Sequence, residues 1–222
     1  PTRLAGCEQG PPATFAAPAS TSVSATSQAP ELADVTGDGV VDAVSGWSPL
    51  VVRPGVGDGT FGAATTLALA SGAVRSVDSG DLDGDGAVDL VAATSVAVER
   101  WELEGGALVA RPDLPVAAHH VRAADVTGDG RADVVALGWS THTLSVYAQT
   151  PDGSLAAPTT TTVAADGYND LEIADLDDDG DLDVVITSAQ GLGSGVTVVE
   201  QDGGALSVGG TVAVTGATGG IA

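Results

Sequence analysis

A nine-residue acidic segment recurs four times along the chain, and its spacing limits the folds that the sequence can adopt. The copies are DVTGDGVVD at 34–42, DLDGDGAVD at 81–89, DVTGDGRAD at 125–133 and DLDDDGDLD at 175–183. They start 47, 44 and 50 residues apart. A repeat of this length holds four short strands, which is the size of one propeller blade.

Apolar runs flank every acidic segment in the same order. One run precedes the segment, a second follows it directly, and two more come later, separated by turns that contain Gly. In the second repeat the three later runs are 88–92, 96–101 and 107–116. Short apolar runs with Gly and Asp between them are typical of β-strands joined by tight turns. The sequence therefore predicts an all-β fold, a β-propeller of four-stranded antiparallel blades.

We interpret residues 1–222 as one propeller segment. The repeats span approximately 1–30 (partial), 31–72, 73–118, 119–165, 166–216 and 217–222 (the start of the next). A propeller must close its ring to hide the edges of its sheets. Four whole blades and about half a blade therefore predict a larger ring, completed by further residues of the same chain or by other chains.

The charge of the chain is strongly negative and unevenly distributed. The net charge is −23, with 30 acidic residues against seven basic ones, and 43% of residues are hydrophobic. Such a chain is repelled by nucleic acid and by anionic membranes, and no apolar run reaches the length of a membrane span. More than half of the acidic residues, 16 in all, lie in the four segments. Carboxylates concentrated in this way repel one another unless a cation neutralises them.

The segments supply the oxygen ligands that Ca²⁺ requires, which are six to eight in number at about 2.3–2.6 Å. We expect side chains from positions 1, 3, 5 and 9, a carbonyl from position 7, and a sharp turn at the Gly of position 6. The four predicted ligand sets are Asp34, Thr36, Asp38, Val40 and Asp42; Asp81, Asp83, Asp85, Ala87 and Asp89; Asp125, Thr127, Asp129, Arg131 and Asp133; and Asp175, Asp177, Asp179, Asp181 and Asp183. The second and fourth sets should bind most tightly, because Thr replaces Asp at position 3 in the other two.

Other readings of the segments fit less well. An EF-hand needs a Glu at position 12 and flanking helices, whereas position 12 here is Ser45, Ala92, Ala136 or Ile186. No His or Cys enters the segments, which argues against zinc, and Mg²⁺ rarely takes an all-protein cage. Plain Asx turns that need no metal remain the alternative.

The repeated D-x-[TD]-x-D-G-x-x-D segments, each followed by an apolar strand, resemble the FG-GAP/VCBS repeats of integrin α-subunit heads and of many secreted bacterial proteins. Residues 57–62, GDGTFG, resemble the Phe-Gly element of that family. The resemblance implies a calcium-binding β-propeller whose complete ring most often has seven blades. It also implies partner recognition on the face away from calcium.

Most large polar and aromatic residues outside the strands fall on that second face. The order of the strands places the loops between second and third strands, and the connections between blades, on the face opposite the acidic loops. The candidate ligand-binding residues there are Trp47, Trp139, His119, His120, His142, Tyr168 and Asn169. For the two Trp residues core packing is an equal alternative, and for the His pair an ordinary surface position is the alternative.

No catalytic motif is present. The sequence lacks a Gly-x-Ser-x-Gly elbow, a His-Glu-x-x-His motif and a phosphate loop, so we do not expect an enzyme. Cys7 follows a short lipobox-like stretch without the apolar region that should precede it, which leaves a lipid anchor as a minor alternative. We expect an extracellular or cell-surface calcium-binding module of bacterial type that recognises a carbohydrate or protein ligand. A scaffold domain of a larger secreted enzyme or assembly, with no ligand of its own, is the alternative.

Overall fold

A computed structural model describes residues 30–46, 48–70, 72–138, 140–163, 166–190 and 195–213. These residues form sixteen β-strands and no helix. Blade 1 contains β1 (Glu31–Ala33), β2 (Asp42–Ser45), β3 (Leu50–Arg53) and β4 (Thr65–Leu67). Blade 2 contains β5 (Val74–Gly80), β6 (Asp89–Thr94), β7 (Val98–Glu104) and β8 (Ala107–Leu114). Blade 3 contains β9 (His120–Ala124), β10 (Asp133–Leu137), β11 (Thr143–Tyr147) and β12 (Thr159–Thr162). Blade 4 contains β13 (Asp166–Ala174), β14 (Asp183–Gln190), β15 (Gly195–Asp202) and β16 (Ala205–Ala213).

Each blade is a four-stranded antiparallel sheet whose strands pair in chain order. The prediction of an all-β fold of four-stranded antiparallel blades is confirmed. The expected half blade at residues 1–29, which includes Cys7, and the start of a further repeat at 217–222 lie outside the described residues. Closure of a larger ring stays a prediction.

The first strands of neighbouring blades contact one another, so they form the inner edge of the assembly. Strand β5 contacts β1 on one side and β9 on the other, and β9 also contacts β13. The second, third and fourth strands of each blade follow outward in that order. Every first strand therefore runs along a common axis.

The apolar cores lie between the blades. One core joins blades 1 and 2, a second joins blades 2 and 3, and a third joins blades 3 and 4. Strand β6 shows how one strand serves two cores: Leu90 and Ala92 face blade 1, whereas Val91 and Ala93 face blade 3. Successive side chains of a strand point to opposite faces, so a blade buried on both faces needs a continuous apolar run. Small residues suit this position because two sheets pack on one strand.

Two predicted strand limits are wrong. The third strand of blade 2 was expected at 96–101, but β7 begins at Val98. The Thr94 hydroxyl donates to the Ala97 carbonyl and accepts from the amides of Val96 and Ala97, which fixes a turn in front of the strand. The fourth strand of blade 1 was expected at 61–69 and is shorter, because only 65–67 pair with β3.

Trp101 lies in a core. Its side chain is 3% exposed and packs between blades 1 and 2 with residues such as Leu50 and Leu90. The sequence left this residue as core or edge, and the packing assigns it to the core. Within the described residues, the structure contains no helix with the length and apolarity needed to cross a membrane.

Candidate functional site

The four acidic segments are loops that join the first strand of a blade to the second, and we call them loops 1 to 4 in chain order (34–42, 81–89, 125–133 and 175–183). Each loop turns through two residues with positive φ, at position 4 and position 6. In loop 1 these are Gly37 (φ 72°) and Gly39 (φ 84°). Sequence reasoning identified the Gly of position 6 but missed the requirement at position 4. In loop 4, Asp178 holds position 4 at φ 62°, a conformation that only Gly adopts at no cost.

The Asp at position 1 turns its carboxylate inward. Asp34 accepts hydrogen bonds from the amides of Gly37 and Gly39, both at 2.7 Å, and from that of Asp38 at 3.1 Å. Equivalent bonds reach Asp81, Asp125 and Asp175. These bonds hold position 1 in the same place in all four loops, with lone pairs still free to bind a metal.

The Asp at position 5 accepts from the amide of position 7 in every loop. The distances are 2.8 Å in loop 1, 2.7 Å in loop 2, 3.0 Å in loop 3 and 2.9 Å in loop 4. In loops 2 and 4 the Asp at position 3 accepts from the amide of position 5 in the same way. These are Asx turns, which aim successive carboxylates toward the centre of the loop.

The Asp at position 9 is buried and accepts two backbone hydrogen bonds. One oxygen of Asp133 accepts from the Val126 amide at 3.1 Å, and the other accepts from the Gln149 amide at 3.0 Å. Asp42, Asp89 and Asp183 make the same pair of bonds. Position 9 therefore ties the start of each loop to the end of the third strand of its own blade. Burial raises the pKa of Asp133 and raises that of Asp89 to about 6.

Two observations are consistent with a calcium ion in the loops, and the first concerns loops 2 and 4. Carboxylate oxygens of Asp81, Asp83 and Asp89 lie within 4.8 Å of one another. Two oxygens bound to one Ca²⁺ are at most about 5 Å apart, because each lies about 2.3–2.6 Å from the ion. The same holds for Asp175, Asp177 and Asp179 in loop 4. These are the two loops with Asp at position 3.

The two loops with Thr at position 3 differ from each other. The Thr36 hydroxyl is buried without a hydrogen-bond partner among the described residues, whereas the Thr127 hydroxyl interacts with the Asp133 carboxylate. A buried hydroxyl without a partner is costly, and a cation supplies one. In loop 3 the guanidinium of Arg131 forms an ion pair with Asp129, which places a positive charge on one expected ligand of that loop.

A second candidate site lies at the inner edge of the blades. A cavity of about 430 Å³ opens between β1, β5, β9 and β13, and its lining comes from the beginning and the middle of these strands. The acidic loops follow the ends of the same strands. The cavity, which we call the axial pocket, is lined by Pro30, Glu31, Arg75, Ser76, Val77, Asp78, His120, Arg122, Asp170 and Glu172. Its volume lies in the usual range of small-molecule sites.

Charged groups in the axial pocket join neighbouring blades. Arg122 of blade 3 donates to Glu172 of blade 4 at 2.7 Å and lies 3.6 Å from Asp170. Asp78 of blade 2 accepts from the Ala123 amide of blade 3 at 2.7 Å. On the other side of β5, the Ser79 hydroxyl donates to Glu31 of blade 1 at 2.6 Å.

Burial shifts the pKa values of two groups in the axial pocket in opposite directions. Desolvation raises the pKa of Asp78 to about 6, against the hydrogen bond from Ala123. Desolvation lowers the pKa of His120 to about 4, and the neighbouring His119 and Arg122 add to this effect. Both shifts favour the neutral form, so Asp78 and His120 are both mostly neutral between about pH 4 and pH 6.

The structure places the residues predicted for the second face in different environments. His120 is the first residue of β9 and lines the axial pocket. His119 is partly buried and contacts both Arg75 and His120, at 3.1 and 3.2 Å, so neither is an ordinary surface histidine. His142 lies in a turn with φ 51°, and its imidazole is not among the groups that line the axial pocket.

Tyr168 and Asn169 belong to β13, although the sequence placed them in a connection between blades. The long first strand of blade 4 continues past a bulge between Tyr168 and Asp170 and takes them into the sheet. Trp47 and Trp139 lie outside the described residues. Sequence reasoning missed Arg75, Asp78, Arg122, Asp170 and Glu172. The sequence signal for them was the presence of charged residues in the first strands, which must face a shared axis.

Comparison with known proteins supports this reading of the repeat. Residues 125–186 match the model of the FG-GAP-like repeat. This part of the chain is similar to FG-GAP-like repeats. It comprises loop 3, strands β10 to β12 of blade 3, and β13, loop 4 and the beginning of β14 in blade 4. The other FG-GAP-like features of the chain are the equivalent loops and strands of blades 1 and 2. No curated protein sequence matches the chain significantly.

Two solved structures are similar in fold. One is a lectin from Agrocybe aegerita that recognises non-reducing terminal N-acetylglucosamine, with a TM-score of 0.56 and 23% identity over 82% of this chain and 50% of that one. The chain thus spans half the length of that lectin. The other is the biofilm matrix protein Bap1 of V. cholerae, with a TM-score of 0.48 and 23% identity over 80% of this chain and 27% of that one. At this identity the likeness to the lectin shows the fold alone.

Two Asp-to-Ala substitutions in loop 3 should separate structure from metal binding. Asp133→Ala leaves the buried amides of Val126 and Gln149 without acceptors, which costs about 1–3 kcal/mol for each group. Asp129→Ala removes an exposed carboxylate, and without metal it should change stability by no more than about 1 kcal/mol. Urea unfolding in a chelator measures both. Equal losses of unfolding free energy would contradict the assigned role of position 9.

Asp78→Asn should raise the melting temperature at about pH 7. The folded pKa of Asp78 is raised to about 6, so its charged form costs stability above that pH, and the cost disappears as pH falls to the unfolded value of about 4. Asn keeps an acceptor for the Ala123 amide. The gain should therefore vanish near pH 4. Asp58→Asn is the control, because the Thr60 hydroxyl and amide lower the pKa of that exposed carboxyl and its loss should give no gain. A pH-independent effect at Asp78 would refute the assignment.

Proposed function

We propose that the chain is a non-catalytic, calcium-stabilised extracellular module that recognises a carbohydrate or protein ligand. The observation that carries the calcium part is the common geometry of the four loops. In each loop the carboxylates of positions 1 and 5 are fixed by the same amides. Oxygen-only donors in such a turn are the ligands of a hard cation. Calcium at millimolar concentration outside cells suits exposed sites of modest affinity.

A binding role rather than a catalytic one is supported by how the acidic groups are used. The Asp at position 9 of each loop accepts two backbone hydrogen bonds, and three carboxylates lie within 4.8 Å of one another in loops 2 and 4. A general acid or base needs a group that can exchange a proton with a substrate, and a carboxylate that holds a loop together or binds a metal is not free to do so.

Ligand recognition is assigned to the face that carries the axial pocket. Its lining alternates donors such as Arg75 and Arg122 with acceptors such as Asp170 and Glu31. Hydroxyl groups of a sugar both donate and accept, so a mixed lining suits a neutral carbohydrate better than a polyanion, which the net charge of −23 repels. The likeness in fold to a lectin for terminal N-acetylglucosamine makes that sugar a reasonable first probe. A protein that presents a polar loop is the other ligand class.

A scaffold without a ligand is the second candidate. It is favoured by the pairing of Arg122 with Glu172 and of Glu31 with Ser79, since these contacts join blades and leave fewer groups for a ligand. If the chain is a ligand-binding module, a substitution at the axial pocket should lower ligand affinity without lowering stability. If the chain is a scaffold, the same substitution should affect stability alone.

Chelation should lower the melting temperature, and calcium should restore it. Binding to the folded state alone adds about 2.7 kcal/mol per site at a hundredfold excess over Kd. Scanning calorimetry in chelator, in calcium and in sodium of equal ionic strength measures the effect. Calorimetric titration should give up to four sites, with loops 2 and 4 filled first. A melting curve that does not change with calcium would refute the proposal.

Arg75→Ala should weaken ligand binding without unfolding the chain. Arg75 lines the axial pocket, and loss of a charged hydrogen-bond donor costs about 1.5–3 kcal/mol, or about 10- to 100-fold in affinity. The measurement is a glycan array that includes glycans ending in N-acetylglucosamine, followed by calorimetry on any glycan that binds. Arg111→Ala is the matched control, because Arg111 lies on the outer strand β8 and pairs with Glu102. Equal affinity of both variants would place the ligand elsewhere, and absence of any ligand favours the scaffold.

A further inference from the structure

Each acidic loop packs against the blade that follows it. The side chains at position 2 show this contact: Val35, Leu82 and Val126 are at most 1% exposed and lie in the cores shared with the next blade. The equivalent Leu176 of loop 4 is 50% exposed, because no described strand lies on that side of blade 4. The first three loops are thus parts of interfaces between blades.

Gln149 of blade 3 makes the most extensive of these contacts. It is 2% exposed, and its Nε2 donates to the Asp81 carbonyl of loop 2 at 3.0 Å. Its Oε1 lies 3.7 Å from the place that a Cβ on Gly84 would take. The turn that follows is pressed against the same loop, since a Cβ on Gly153 would lie 2.2 Å from the Asp83 carbonyl oxygen. Blade 3 therefore touches positions 1, 3 and 4 of loop 2.

The backbone of Gln149 is held by loop 3. Its amide donates to Asp133 at 3.0 Å, and its carbonyl accepts from the Arg131 guanidinium at 3.1 Å. Asp133 and Arg131 are positions 9 and 7 of loop 3. One residue thus joins two acidic loops, with its backbone fixed by loop 3 and its side chain fixed on loop 2.

The other two interfaces repeat this arrangement. The Leu103 amide donates to Asp89 of loop 2 at 2.9 Å, and Leu103 Cδ2 lies 3.1 Å from the place of a Cβ on Gly37 of loop 1. The Gln201 amide donates to Asp183 of loop 4 at 2.9 Å, and Gln201 Nε2 lies 2.9 Å from the place of a Cβ on Gly128 of loop 3. The distances of 3.1 and 2.9 Å leave little room for a Cβ at position 4 of loops 1 and 3, and the positive φ of position 4 favours Gly in loops 1 to 3.

We propose that Leu103, Gln149 and Gln201 are positioning residues that couple calcium binding at successive loops. The proposal rests on the calcium binding proposed above. Calcium at loop 2 orders positions 1 to 5 of that loop, and these hold the Gln149 side chain. The ordered Gln149 then fixes the acceptor bond of Asp133, so loop 3 has less ordering left to undergo when it binds. The coupling acts equally in both directions, and it acts directly between adjacent loops only.

The test follows each loop separately by NMR during a calcium titration of the whole chain. The amides of Gly39, Gly86, Gly130 and Gly180, at position 6 of the four loops, report one loop each. Asp85→Asn disables loop 2 and keeps an acceptor for the Ala87 amide. The calcium midpoint at Gly130 should rise by about fivefold or more, and the midpoint at Gly39 should also rise. The midpoint at Gly180 should change less than that at Gly130, because loop 2 reaches loop 4 only through loop 3.

The decisive comparison repeats Asp85→Asn in a Gln149→Ala background. There the loss of loop 2 should no longer move the Gly130 midpoint, whereas the Gly39 midpoint should still move through Leu103. If Gln149→Ala does not fold, Gln149→Asn gives the same test, because the shorter side chain keeps the amide but does not reach the Asp81 carbonyl. A Gly130 midpoint that ignores Asp85→Asn, or that still responds without Gln149, overturns the coupling. Four amides that do not respond to calcium at all refute calcium binding itself, which is a distinct result.

Discussion

The buried Asp at position 9 is the interaction on which the rest of the structure depends. Its two oxygens accept one amide from the loop and one from the end of the third strand, and the four copies are at most 4% exposed. A buried carboxylate is costly unless it is fully hydrogen-bonded, so this residue fixes the distance between two parts of each blade. The loop in front of it is then anchored at its beginning and its end, and in loops 2 and 4 three carboxylates lie within 4.8 Å of one another.

Burial between blades explains the unusual composition. An inner blade is covered on both faces, so its second strand must be apolar at every position and small enough for two neighbours. Ala and Val meet both needs, and the many short turns account for the 31 Gly residues. Few positions then remain for acidic residues away from the edges. Most of them collect in the loops, where backbone amides donate to them, and at the axis, where Arg122 and neighbouring amides pair with them.

The periodic features were predictable from the sequence, and the contacts between repeats were not. Four acidic loops, the order of four strands and the two faces follow from spacing, because each depends on neighbours within one blade. The sequence does not show that position 4 of loops 1 and 3 faces Leu103 and Gln201 of the next blade. The axial pocket was missed for the same reason: Asp78 and Arg122 are 44 residues apart and meet only because first strands share an axis. The strand limit at Val98 depends on the local hydroxyl of Thr94, which apolar pattern alone does not show.

The two ends of the first strands have opposite physical requirements, and this division favours a recognition role. At the loop end, carboxylates gather and accept hydrogen bonds from backbone amides, and Arg131 pairs with one of them. At the axial end, acids and bases are mixed, and burial raises the pKa of Asp78 and lowers that of His120, so each shift favours the neutral form. A ligand at the axial end meets a surface of mixed charge, whereas the acidic loops carry more than half of the acidic residues. Calcium at the loops would reduce their negative charge, so the same ions that stabilise the blades would also lower the electrostatic repulsion felt by an acidic partner.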